Sequence, residues 1–98
     1  MITIYYSQRF KEELSEIALF IANQAGKDAA NKVIESIMSS IKLLNHFPKI
    51  GVFRGVDKTN TKEFHLLISG NYFVYYSIFR DEIYIDGIKD TRVNYYKI

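Results

Sequence analysis

The chain has 98 residues, 48% hydrophobic and 24% charged, with a formal net charge of +2 and no cysteine. That describes one soluble globular domain over 1–98 with a single modest core, and it excludes a disordered chain, disulfides, thiolate metal centres and a cysteine nucleophile. The charge is too small to mark a nucleic-acid binder, but residues 42–62 hold five basic groups and one acid, whereas residues 1–41 and 63–98 each hold four basic and five acidic groups.

The positive field therefore belongs to the middle of the chain. No window approaches a membrane span, and the start lacks a basic stretch followed by an apolar one. The reading is a cytoplasmic protein with no membrane partner.

Ile2, Ile4 and Tyr6 alternate with Thr3 and Tyr5, which predicts an N-terminal strand at the edge of a sheet. Ser7 is placed to cap a helix, with Glu12 and Glu13 in its early turns where negative charge suits the helix dipole. Phe10, Leu14, Ile17, Ala18 and Ile21 repeat with helical spacing, and Gly26 should end that helix. At 100° per residue Leu19 falls opposite the middle of the apolar stripe and Phe20 well to its side, which marks both as docking points for another chain.

A second helix is predicted from about Asp28 to Asn45, its stripe formed by Ala30, Val33, Ile34, Ile37, Met38, Ile41 and Leu44. Pro48 limits it. Residues 49–62 carry Gly51 and Gly55 and no sustained period, and read as a long loop bearing Arg54, Lys58 and Lys62.

Three antiparallel strands follow. Glu63 to Ile68 connects through Ser69, Gly70 and Asn71 to Tyr72–Phe79, whose apolar residues on both faces suit a central strand. Arg80 and Asp81 then lead to Glu82–Ile88. The whole predicts an α+β fold, with a helical hairpin packed on one face of a mainly antiparallel four-stranded sheet. The tail mixes Lys89, Arg92 and Lys97 with Tyr95 and Tyr96, a combination that can pair with phosphates and stack on bases.

Neither histidine points to catalysis. His46 sits at a helix end before the lone proline, and His65 shares a strand face with Glu63 and Leu67. Two histidines without cysteine, and Asp86 and Asp90 without supporting ligands, make no metal site. No cofactor is expected.

The order strand, helix, helix, strands, together with Leu44-Asn45-His46-Phe47-Pro48 and Gly51, the strand Tyr72-Phe73-Val74-Tyr75-Tyr76, and Ile88-Lys89-Asp90-Thr91-Arg92, resembles the RelE/ParE toxin superfamily along essentially the whole chain. The Leu-x-x-x-Pro-x-x-Gly signal is similar to the ParE branch. The resemblance implies the toxin of a type II toxin-antitoxin (plasmid stabilisation) system, held in check by a cognate antitoxin and aimed at DNA gyrase. RelE-type relatives instead cleave mRNA on the ribosome. Such nucleases usually carry basic groups at positions that here look like Ile68 and Phe73, and Lys89 replaces their histidine.

The nuclease set is thus mostly missing, no catalytic residue is assigned, and gyrase inhibition without enzymatic activity fits better than a ribosome-dependent endoribonuclease. The target-binding assignment is Arg54, Lys62, Lys89, Arg92, Tyr95 and Tyr96; the antitoxin-binding assignment is Leu19 and Phe20. A contrasting reading is a non-toxic RNA-binding module using Tyr5, Tyr75 or Phe73 as stacking platforms.

Overall fold

Ser7 sets the geometry of the first half of the chain. Its hydroxyl accepts from the Phe10 N–H at 2.9 Å and donates to the Asp86 carbonyl at 3.0 Å, so the cap that starts a helix also ties that start to a strand almost eighty residues away. The computed structural model describes residues 2–92.

In chain order the elements are β1 (Thr3–Tyr6), α1 (Gln8–Ala25), α2 (Lys27–Lys42), a short 3₁₀ turn (Leu43–Asn45), β2 (Val52–Val56), β3 (Glu63–Ser69), β4 (Tyr72–Phe79) and β5 (Glu82–Asp90). Gly26 joins the helices at a φ of 95°, a conformation that costs glycine little and an L side chain much. One sheet runs in the order β1-β5-β4-β3-β2. β1 is parallel to β5 and all other pairs are antiparallel.

This α+β arrangement matches the sequence reading, with one correction: the sheet has five strands. Val52–Val56 lies inside the segment read as loop and pairs with β3 at the sheet's edge. Its pattern gave no sign of this, because Gly51 and Gly55 interrupt the alternation. A register shift between Phe53 and Gly55 leaves Arg54 as a bulge. Outside β2 the segment keeps a turn at 49–51 and a loop at 57–62. There Asp57 N–H bonds the Lys62 carbonyl at 2.7 Å, Asp57 Oδ1 accepts from Thr59 N–H, and Asn60 Oδ1 accepts from Lys62 N–H.

Both helices cover the same face of the sheet, α1 over β5 and α2 over β3. The core between them holds Phe10, Ile37, Ile41 and Leu44 from the helical side and Leu67, Val74, Tyr76, Ile83, Ile85 and Ile88 from the strands. Tyr72 and Tyr76 are buried, as a core-facing central strand requires, whereas Tyr75 and Tyr5 are exposed on the opposite face. Alternation along the strand separates them.

Tyr76 does more than fill space. Its hydroxyl donates to the Pro48 carbonyl at 2.8 Å and accepts from the Gly51 N–H at 3.0 Å. A Cβ on Gly51 would stand 2.7 Å from that hydroxyl and 2.8 Å from the Leu66 carbonyl, so glycine is needed there for room. Leu44, fully buried, seats the other end of the same turn. Leu44, Pro48 and Gly51 are thus three parts of one clamp on a core phenol.

Tyr76→Phe leaves the Gly51 N–H and Pro48 carbonyl without this partner and should cost about 1–3 kcal/mol, read as a lower urea midpoint. Gly51→Ala should cost more, because backbone as well as side chain must move. Equal midpoints for Tyr76→Phe and the parent chain would contradict the clamp.

Candidate functional site

β1 ends at Tyr6, but β5 runs on to Asp90, so the outer edge of β5 beyond Ile85 has no neighbouring strand. The start of α1 covers it. Besides Ser7 on Asp86, the Glu13 carboxylate accepts from the Ile88 N–H at 3.1 Å, from Lys89 Nζ, and from Arg9 Nε at 3.4 Å. A Cβ on Gly87 would meet Glu13 Oε1 at 2.8 Å. The Glu13 side chain is mostly buried. Burial pushes the Glu13 carboxyl up, but the bonds from Lys89 and Ile88 and the charges of Lys89 and Arg9 outweigh it and hold the carboxyl below its ordinary value.

Glu13 thus acts on β5 rather than on the dipole of its own helix. The signal was present in the sequence, since Glu13 lies three residues after Phe10 and four before Ile17, on the border of the apolar stripe.

Lys89, the first assigned target-binding residue on β5, is consequently ion-paired with Glu13. It stands between two hollows. One, of about 310 Å³ between α1 and β5, is lined by Ile17, Phe20, Tyr72 and Ile88 with Glu16 and Asp90 beside them. The other, of about 570 Å³, opens on the uncovered sheet face and is lined by Arg9, Phe64, Tyr75, Asp86 and Gly87. Arg92 pairs with Asp90 through Nε at 3.0 Å and Nη2 at 2.7 Å, and these bonds hold the Asp90 carboxyl below its ordinary value.

Lys62 and Arg54 lie elsewhere. Lys62 Nζ sits 5.3 Å from the Tyr84 ring centre and 5.8 Å from that of Phe64, within cation–π range. Tyr84 in turn stacks on Tyr5 at 5.2 Å. In register, Phe64, Ser77 and Tyr84 cross the uncovered face in one row, and Ile68, Phe73 and Lys89 in another. Four residues separate the two rows, so at about 3.4 Å per residue the Lys62 and Lys89 ends are roughly 14 Å apart. Arg54, exposed on the β2 bulge, belongs to the Lys62 end.

The structure therefore brings Arg54 near Lys62 and Lys89 near Arg92, and does not join the two pairs into one pocket. Tyr95 and Tyr96 lie outside the described residues. Leu19 and Phe20 are 64% and 62% exposed, as predicted from their angular positions. Only Phe20 lines the groove beside β5.

The two histidines lie apart. His46 is exposed next to Phe47. His65 is buried, stacks on Tyr76 at 5.3 Å, and meets Glu63 Oε1 at 3.1 Å, while Lys49 bonds the other Glu63 oxygen at 3.3 Å. Among the described residues no group of three or more His, Asp or Glu is placed to hold a metal, and no helix is long and apolar enough to cross a membrane.

Residues 4–95 match the model of the family described as ParE toxin of type II toxin-antitoxin system, parDE. The chain belongs to the ParE toxin family. The fold agrees: a solved chain described as "Chromosomal ParDE TA system from P. aeruginosa" superposes with a TM-score of 0.77 over 94% of this chain and 98% of that one, at 17% identity. No curated sequence matches this ParE-family chain significantly. Its clamp residues Leu44, Pro48 and Gly51 are the same ones that carried the resemblance to the ParE branch, so a family signal here has a direct packing cause.

A carboxylate held below its ordinary value stabilises the fold above that value and stops doing so as pH falls through the lowered one. For Glu13, whose ordinary value is 4.5, the contribution is complete above that pH and lost in the acid range beneath it. Glu13→Gln should cost about 1–2 kcal/mol at neutral pH and make the acid limb of a stability–pH profile shallower. An unchanged acid limb would show that the Glu13 knot does not contribute.

Proposed function

We propose that this ParE-family toxin acts in the cytoplasm by binding DNA gyrase and blocking replication, and that a cognate antitoxin neutralises it. The observation that favours gyrase over mRNA cleavage is the row Ile68–Phe73–Lys89. Cleaving a phosphodiester needs cations and acid–base groups gathered at one phosphate. Here that row supplies two apolar side chains and one lysine already committed to Glu13.

What the uncovered face offers instead is breadth. Arg54 and Lys62 stand at one end, Lys89 and Arg92 at the other, with Tyr75 and Phe64 between them. A separation of roughly 14 Å suits a protein surface better than a single phosphate, and Tyr95 and Tyr96 extend the set by sequence. Arg92, exposed beside Asp90, reaches an acidic target by exchanging one carboxylate partner for another at small cost, while Lys89 keeps its bond to Glu13.

For the antitoxin, the groove formed by Ile17, Phe20, Tyr72 and Ile88 gives an apolar floor with Glu16, Asp90 and Lys89 at its margin. Phe20 is its exposed wall, and Leu19 extends the contact over the back of α1.

Inducible expression in a bacterial host tests the reading. Growth should stop with DNA synthesis failing before protein synthesis, and co-expression of the adjacent antitoxin should restore growth. Phe20→Glu should weaken that rescue while leaving toxicity intact, and alanine at Arg54, Lys62, Lys89 and Arg92 together should abolish arrest. Protein synthesis failing first, with cut transcripts, would replace gyrase by the ribosome. Salt-sensitive RNA binding without arrest would leave an RNA-binding module.

A further inference from the structure

Arg9 and Asp86 have no part in the proposals above, yet both line the hollow of about 570 Å³ on the uncovered face, with Phe64, Tyr75, Gly87 and Lys89. That volume lies within the range of about 300–1,000 Å³ usual for small-molecule sites. Phe64 and Tyr75 stand diagonally across β3 and β4 on one face, each leaving 39% of its surface in solvent. Tyr75 pairs in register with Gly87, so that position of β5 adds no side chain over its ring. The floor is therefore aromatic and open.

The rim carries two opposite charges. Asp86 is the extra residue of the β4–β5 register shift, is half-buried, and has its carbonyl bonded by the Ser7 hydroxyl at 3.0 Å. Among the described residues its carboxylate has no hydrogen-bond or ion-pair partner, an unfavourable state for an acid partly withdrawn from water. Arg9 is held by Glu13, which takes its Nε at 3.4 Å. The guanidinium lies close to Gly87, where a Cβ would stand 3.6 Å from that Nε and 3.8 Å from Cζ. Its terminal nitrogens make no bond among the described residues and form a fork that fits an oxyanion. Lys89 adds positive field while it keeps its bond to Glu13.

An occupant must stack on a ring, donate to a carboxylate and offer an anion to a guanidinium. No single amino-acid side chain does all three, so a docked peptide fits poorly. A guanine nucleotide does, because its base has a π face and two adjacent N–H donors, and its phosphate is the anion. Adenine and the pyrimidines lack that pair of donor nitrogens. A polynucleotide would need cations for the phosphates beyond the first, and the neighbouring row offers Ile68 and Phe73. We propose that the hollow binds a free guanine mononucleotide, with its base on Tyr75 and Phe64, its donor edge on Asp86 and its phosphate on the Arg9 fork. Such a site exists whatever macromolecule the toxin meets.

Titration of the purified whole chain with GMP, AMP, guanosine and inorganic phosphate, followed by calorimetry and by amide NMR shifts, tests this. GMP should bind about tenfold or more tightly than AMP and move the amide signals of Tyr75 and Gly87. Asp86→Asn should erase most of that preference. Arg9→Gln should weaken GMP about tenfold and leave guanosine unchanged. Thermal melts verify that both variants fold, and the comparison of GMP with AMP needs no variant. Equal binding of GMP and AMP, phosphate binding as tight as that of GMP, guanine-free single-stranded RNA binding more tightly than GMP, or no GMP binding by folded chain would overturn the proposal.

Discussion

A single buried phenol organises the far half of the molecule. Tyr76 rises from the central strand into the core and spends both its donor and its acceptor on the turn between α2 and β2. Without that anchor the Gly51 N–H and the Pro48 carbonyl would lose this partner. With it, the chain leaves the helical layer at a fixed point and returns as an edge strand. The position of β2 follows, and with it the Arg54 bulge, the closed loop before β3 and the stance of Lys62. His65 and Glu63 then complete the layer by stacking on Tyr76 and pairing with Lys49.

Glu13 plays the matching part at the other end. A sheet whose first strand is shorter than its neighbour leaves backbone donors exposed along that neighbour, and such edges invite unwanted pairing. Ser7 and Glu13 close it from the helix side. Because the same carboxylate holds Lys89, the device that protects the edge also sets the charge state of one end of the uncovered face. Two anchors with opposite chemistry, a neutral phenol and a charged carboxylate, thus frame a surface that is apolar and aromatic in the middle, cationic at the Lys62 end and ion-paired at the Lys89 end.

Most of this fold was legible in the residue pattern. The α1 and α2 stripes, the Ser7 cap, the Gly26 stop and the central place of Tyr72–Phe79 rest on periodicities and local backbone preferences that tertiary packing reinforces. β2 was not legible, because an edge strand with a glycine bulge owes its form to pairing with β3 and not to its own sequence. The site was read less completely. Arg54, Lys62, Lys89 and Arg92 were chosen by charge and by resemblance, which say nothing of partners, so the Glu13 and Asp90 pairs and the division into two ends emerge only in three dimensions. The hollow beside Tyr75 was hidden for a similar reason: Arg9, Tyr75 and Asp86 come from three separate segments, and only the fold sets them around one space.

The central functional claim is that the toxin meets DNA gyrase directly, with no help from the ribosome or from other cell components. Supercoiling of relaxed plasmid by purified gyrase, with increasing amounts of the purified chain, tests it most directly. Inhibition that rises with toxin concentration and weakens as salt is raised is the predicted result. Full supercoiling at toxin concentrations well above that of the enzyme, by chain shown to be folded, would contradict it.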